Sequence, residues 1–134
     1  MRSEVITVHT GSTPVVHDLT GDCRRFAEGH GDGLLHVFVP HATAGLAIVE
    51  TGAGSDADLL STVDRLLPTD QRWQHRHGNP GHGRDHVLPA LLPPYASIPV
   101  LDGQLALGTW QSICLVDTNG DNPDRQVRLS FLPG

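Results

Sequence analysis

The twelve residues His75–His86 read H-R-H-G-N-P-G-H-G-R-D-H, and they constrain this chain more than any other stretch. Four histidines, two arginines, an aspartate, three glycines and a proline stand together with no aliphatic residue among them. Such a segment cannot form a core strand or an apolar helix face, so the flanking chain must supply the fold. Imidazoles at this density suit metal ligation, proton transfer or phosphate recognition. The rest of the chain is expected to aim these groups, with His41 and Glu50, into one pocket.

The flanks carry strand and helix patterns. Glu4–Thr10, Leu34–Val39 and Gln126–Phe131 are rich in β-branched or alternating apolar residues and predict strands. Shorter extended segments are expected at Val15–Leu19 and Leu46–Glu50. Ala96–Leu101 and Gln104–Leu107 form a hairpin about Asp102-Gly103, and Trp110–Asp117 is a further strand. A helix is expected over Gly21–Glu28 with Thr20 as N-cap, and another over Asp56–Leu67 behind Ser55. In the second, Leu59, Leu60, Val63, Leu66 and Leu67 make one apolar stripe. A short helix from near Arg84 ends at Pro93-Pro94. The class is α+β, dominated by antiparallel, sandwich-like sheet, with about seven strands and two to three helices. Residues 1–134 form a single domain, long enough to bury a core without staples.

Composition excludes several functions. The net charge of −6 and the scarcity of aromatics (4%) disfavour nucleic-acid binding. All nine basic residues are arginine. Without lysine there is no Schiff base, no pyridoxal phosphate attachment and no Walker-type phosphate lysine, and no nucleotide cofactor is expected. Cys23 and Cys114 are read as buried free thiols. The start MRSEVITV has no apolar leader pattern and no apolar run approaches a membrane span, so the expectation is a cytoplasmic protein without membrane contact.

His41 follows a strand and opens the small-residue loop H-A-T-A-G, which includes Thr43. Glu50, one of three glutamates, ends the next strand and suits a ligand, a general base or an orienter of histidine. His75 and His77 are spaced as on an extended ligand strand. His82 and His86 are spaced as on one helical face, although Gly83 argues against a helix there. A zinc site would take three such groups and leave a position open. Arg76 and Arg84, with His77 and His82, suit phosphate or carboxylate recognition. Trp110 and Gln111 could wall and hydrogen-bond a ligand.

Four blocks come in order: H-A-T-A-G-L-A-I-V-E at His41–Glu50, W-Q-H at Trp73–His75, G-R-D-H-V-L-P-A-L at Gly83–Leu91 and L-D-G-Q-L-A-L-G-T-W-Q at Leu101–Gln111. Together they resemble the YjbQ-type family, small proteins described as secondary thiamine-phosphate synthases. The resemblance runs from about Val5 to the C-terminus. It implies a β-rich α+β fold, a homotrimer and a histidine-lined pocket near subunit boundaries. It implies pocket histidines at His41, His75 and His86, an acidic partner at Glu50, a late motif at Trp110 and Gln111, and an arginine at Arg125. The chain departs from the family where Asn-x-x-Asp would follow the glutamate. Thr51-Gly52-Ala53-Gly54 stands there, with Asp56 or Asp58 as the nearest carboxylates. His77–Gly83 is also richer in His and Gly than the family pattern.

Three functions remain open. The first is a thiamine-phosphate-synthase-like transferase of low rate, in which His and Arg groups hold a small phosphorylated molecule. The second is a metal-dependent hydrolase or lyase, with a divalent, zinc-type ion on His41, His75 and His86 and with Glu50 as base. The third is a non-catalytic binding module for a small anionic metabolite.

Overall fold

A computed structural model describes Met1–Gly134. Eight strands alternate with two full helices and two one-turn helices. The order is β1 Arg2–His9, β2 Val15–Asp18, α1 Thr20–Ala27, β3 Gly33–Phe38, β4 Ala44–Val49, α2 Ser55–Leu66, α3 His82–Asp85, α4 Leu88–Leu91, β5 Tyr95–Leu101, β6 Gln104–Leu105, β7 Ser112–Asp117 and β8 Asp124–Pro133. All strand pairs are antiparallel. One sheet has the order β1-β8-β3-β5-β6 and the other β2-β7-β4. The fold is thus the α+β, mostly antiparallel class expected, with eight strands where about seven were counted.

The core lies between the sheets. Leu35 and Val37 of β3, Ile98 and Val100 of β5, and Val127, Leu129 and Phe131 of β8 face Ala44 and Leu46 of β4 and Ile113 and Leu115 of β7. Cys23, Phe26 and Ala27 of α1 seal one side. Alternation on β8 drives this: Arg125, Val127 and Leu129 are buried while Asp124, Gln126 and Arg128 are exposed. β7 is buried on both faces, as suits the middle strand of its sheet. No helix is long and apolar enough to cross a membrane.

Both expected N-caps move by one residue. Thr20 is the first residue of α1; its amide donates to Asp18 Oδ1 at 2.8 Å, while its hydroxyl accepts the Ile113 amide at 2.9 Å. Its oxygen is spent on a strand, so the aspartate two residues earlier takes the helix end. Ser55 likewise begins α2, because Gly54 at φ 99° makes the turn into it.

A second, smaller cluster carries the histidine-rich segment. Val63 of α2 and Leu67 just after it pack on Leu88 of α4, with Trp73, Val87 and Leu92 around them. Trp73 Nε1 donates to Pro68 O at 2.8 Å. The polar stretch therefore does not fold itself. It is clamped at Trp73 before it and at Leu88 after it, by aliphatic burial at both ends.

Candidate metal centre

Gly81, at φ 89°, turns the chain into α3, and the Asp85 amide donates to Gly81 O at 3.1 Å. His86 continues the helical backbone at φ −71°, ψ −15°. His82 and His86 are thus one turn apart on the same face. Gly83 does not break this turn; it makes it possible. A Cβ at Gly83 would stand 2.3 Å from His75 O and 2.7 Å from Trp73 Cβ. Only hydrogen lets α3 rest against the segment that carries His75.

The result is a cluster of imidazoles. One ligand nitrogen from each of His75, His82 and His86 lies within 4.8 Å of the other two. His86 Nε2 stands 3.0 Å from His82 Nε2. The His75 and His86 rings are 4.1 Å apart between centroids, and His77 lies 4.0 Å from His75 and 4.9 Å from His82. His75 Nε2 is buried and has no hydrogen-bond partner. Burial first, and then the neighbouring imidazoles, push the His75 and His86 pKa values below the ordinary value. Both effects favour the neutral ring, the form that can ligate. His75 and His82, with Asp70, Arg76, His77 and Asn79, line a polar cleft of ≈ 130 Å³.

The loop Thr118–Pro123 after β7 supports this cluster. Asp121 Oδ2 accepts from His82 Nδ1 at 2.9 Å, and its other oxygen accepts the Asn79 side-chain amide. Asn119 Oδ1 accepts the Asp121 amide at 2.8 Å, which turns the Asn119 nitrogen toward His82 Nδ1 at 3.2 Å. Since the carboxylate can only accept, Nδ1 of His82 carries the proton. The Asn119 nitrogen, 3.2 Å from the same Nδ1, therefore cannot donate to it in this tautomer. Thr118 Oγ1 donates to Asp85 Oδ1 at 2.5 Å. Burial raises the Asp85 carboxyl above its ordinary value, opposed by hydrogen bonds from Thr118, Arg84 and Asn119.

The other residues singled out in the sequence fall in three further places. Arg84 is buried and faces away from the cleft: it donates to Asp85 Oδ1 at 2.9 Å, Asp64 Oδ1 at 2.7 Å and Leu67 O at 3.1 Å. It ties α3 to α2, and of the two arginines in the histidine-rich segment only Arg76 lines the cleft. His41 is outside the three-histidine group, and its Nε2 accepts the Gln126 amide at 2.9 Å. It sits beside Arg125, which donates to Asp117 Oδ2 at 2.7 Å, Asp117 Oδ1 at 3.0 Å and Thr43 Oγ1 at 2.9 Å. Burial, and then the Arg125 charge, lower the His41 pKa.

Glu50 lies at the opposite end of β4 from His41. The register pairs Ala44 with Asp117 and Val49 with Ser112, and six residues of strand span about 20 Å. The shared pocket expected for His41 and Glu50 does not form within one chain, because the strand between them separates their ends. Trp110 and Gln111 are near the Glu50 end. Trp110 is 72% exposed, and Gln111 Oε1 accepts the Gly108 amide in its own turn at 2.8 Å. The structure thus places His82 where His41 was expected. Sequence reasoning missed Asn119 and Asp121; an Asn-Gly-Asp turn after a buried strand is the local signal, but its contact to a residue 39 positions away has none.

Relatives place the chain. The sequence pattern of the family described as UPF0047 protein YjbQ-like matches residues 4–134. A UPF0047 protein of Mycobacterium tuberculosis is 58% identical over 134 residues, all of both chains. One from Archaeoglobus fulgidus is 31% identical over 122 residues, covering 91% of this chain and 95% of the other. The crystal structure of a hypothetical protein from Aeropyrum pernix K1 superposes with a TM-score of 0.91 at 31% identity over the whole of both chains. A YbjQ-like protein of unknown function from Sulfolobus solfataricus P2 gives 0.92 at 26% identity, covering 99% and 97%. With fold, motifs and nearly the full length in agreement, this chain belongs to the YjbQ-like UPF0047 family.

Proposed function

We propose that the chain binds a zinc-type divalent ion on His75, His82 and His86 and uses it on a small phosphorylated or otherwise anionic metabolite. The observation that carries this is the buried, unpartnered His75 Nε2 facing two imidazoles whose own nitrogens are 3.0 Å apart. Three imidazole nitrogens at this spacing fit a tetrahedral ion, whose ligand nitrogens stand about 3.4 Å from one another at Zn–N distances near 2.05 Å. When bound, such an ion supplies Lewis acidity toward a phosphoryl or carbonyl oxygen. The protein's part is to disfavour charge on His75 and His86, keep one side open to the cleft, and present Arg76 and His77 there for negative charge.

The test is zinc titration against a chromophoric chelator. The expected result is one ion per chain, with at least a 100-fold loss of affinity in His86→Ala and no change in His41→Ala. No stoichiometric binding by the wild-type chain overturns the metal reading. Growth rescue of a thiamine-requiring strain tests the synthase-like transfer implied by the resemblance.

Two further readings belong here. A homotrimer is supported by the outer face of the five-stranded sheet, where Leu34, Phe38, Tyr95, Leu101 and Leu132 are exposed on neighbouring strands. Light scattering that returns a monomer mass refutes it. A cytoplasmic setting is supported by two free, buried cysteines.

A further inference from the structure

We propose that Asp121 is the positioning residue of the metal centre: its carboxylate fixes the His82 tautomer that presents Nε2 to the ion, and pins the Asn79 loop beside it. This rests on the three-histidine reading. A free neutral imidazole side chain prefers its proton on Nε2, and in that tautomer His82 would point an N–H at the cluster and could not ligate there.

Asp121 reverses this preference. Its Oδ2 lies 2.9 Å from His82 Nδ1 and accepts, so the proton stays on Nδ1 and the Nε2 lone pair faces His86. The His82 side chain is 14% exposed and that of Asp121 29%, so the ring is largely shielded while the carboxylate keeps contact with solvent. The same carboxylate accepts from the Asn79 amide side chain, which ties the 77–80 turn down at the edge of the cleft. Asp121 is itself fixed: its amide donates to Asn119 Oδ1 at 2.8 Å, and the Asn119 amide donates to Asp117 Oδ1 at 2.9 Å. Asp117 is 1% exposed and paired to Arg125. A chain of hydrogen bonds thus runs from the buried ion pair between the sheets to one ring of the metal centre. His75 and His86 have no carboxylate on their second nitrogen, so His82 is the ligand set in advance.

The experiment compares wild type, Asp121→Ala, Asp121→Asn and Asp121→Glu. Zinc affinity is read by chelator competition, and the His82 tautomer by nitrogen-15 shifts of the metal-free protein. Asp121→Ala should weaken zinc binding about 10–100-fold and move His82 from one tautomer to a mixture rich in Nε2–H. Asp121→Asn, which keeps the volume and a weaker acceptor, should shift both readouts in the same direction by less. Asp121→Glu should recover part of each.

Affinity within twofold of wild type in Asp121→Ala overturns the proposal. So does a fall in affinity while His82 stays Nδ1-protonated, since that marks a structural effect alone. If the wild-type chain binds no zinc, the metal reading fails, and the metal-free spectra still decide whether Asp121 sets the ring.

Discussion

Replacing Gly83 by alanine sets two effects of opposite sign against each other. In a helical turn, alanine is worth about 1 kcal/mol more than glycine. Against this stands the close approach of α3 to the His75 segment. The added Cβ would lie 2.3 Å from a backbone oxygen, and ordinary contact begins at 3.4 Å, so one segment must retreat by about 1 Å. Neither neighbour is the free end of a flexible side chain. Overpacking of this kind costs about 1–3 kcal/mol, so clash and propensity together leave a net loss of up to about 2 kcal/mol. At roughly 4 °C per kcal/mol for a chain of this size, the melting midpoint should drop by as much as about 8 °C. The larger effect is on the cluster. Ligand distances tolerate about ±0.2 Å, and a retreat of about 1 Å between His75 and α3 exceeds that several-fold. Zinc affinity should fall by more than tenfold. Gly21→Ala is the control: Gly21 lies in α1 with nothing within 4 Å of an added Cβ, so it should gain stability and leave zinc binding alone. A Gly83→Ala protein that melts above wild type and binds zinc unchanged would refute the packing argument.

Two other outcomes follow from buried groups. Arg125→Met strands the Asp117 carboxylate, 1% exposed, and should cost about 3–5 kcal/mol in urea unfolding, with part recovered by adding Asp117→Asn; a cost below 1 kcal/mol would contradict it. His41 has a lowered pKa and accepts the Gln126 amide on Nε2, so protonation is harder in the folded chain than in the unfolded one. Its contribution is full above the unfolded value near 6.5 and is lost as pH falls toward the folded value. Melting from pH 7.5 to 5 should therefore decline more steeply in wild type than in His41→Gln, and equal slopes would refute it.

The sheet was legible because burial imposes period two on it. The alternation of β8 and the apolar density of β3 identify strands wherever one face meets a core. The candidate site was legible only in part. His75 and His86 stand out by density, while His41 and Glu50 were set in the same pocket by residue type and by the family resemblance, neither of which measures the strand between them. An extended strand turns most of that stretch into length, which separates the two side chains instead of joining them. Gly83 misled in the opposite way. Helix propensity counts its entropic cost and knows nothing of the His75 carbonyl lying against it. Arg84 looked like an anion ligand because its partners, Asp64 and Leu67, are 20 and 17 residues away in an earlier helix. Asn119 and Asp121 act through contacts that no local pattern encodes.

The short connection from Asp117 to Arg125 has a consequence for which length changes this chain can accept. Asp117 ends a strand of one sheet, Arg125 opens a strand of the other, and their side chains bond across the gap. β8 pairs with β1 on one side and β3 on the other. Inserting or deleting one residue in 118–123 would leave two options. If the ion pair holds, the loop carrying Asn119 and Asp121 must be rebuilt. If the loop holds, β8 slips by one and turns Gln126 and Arg128 inward where Val127 and Leu129 now sit. Hydrophobic substitutions elsewhere can be absorbed by repacking, but the separation of eight positions between Asp117 and Arg125 is quantised. Sequences that keep this site should therefore vary in the letters of that loop and not in its length.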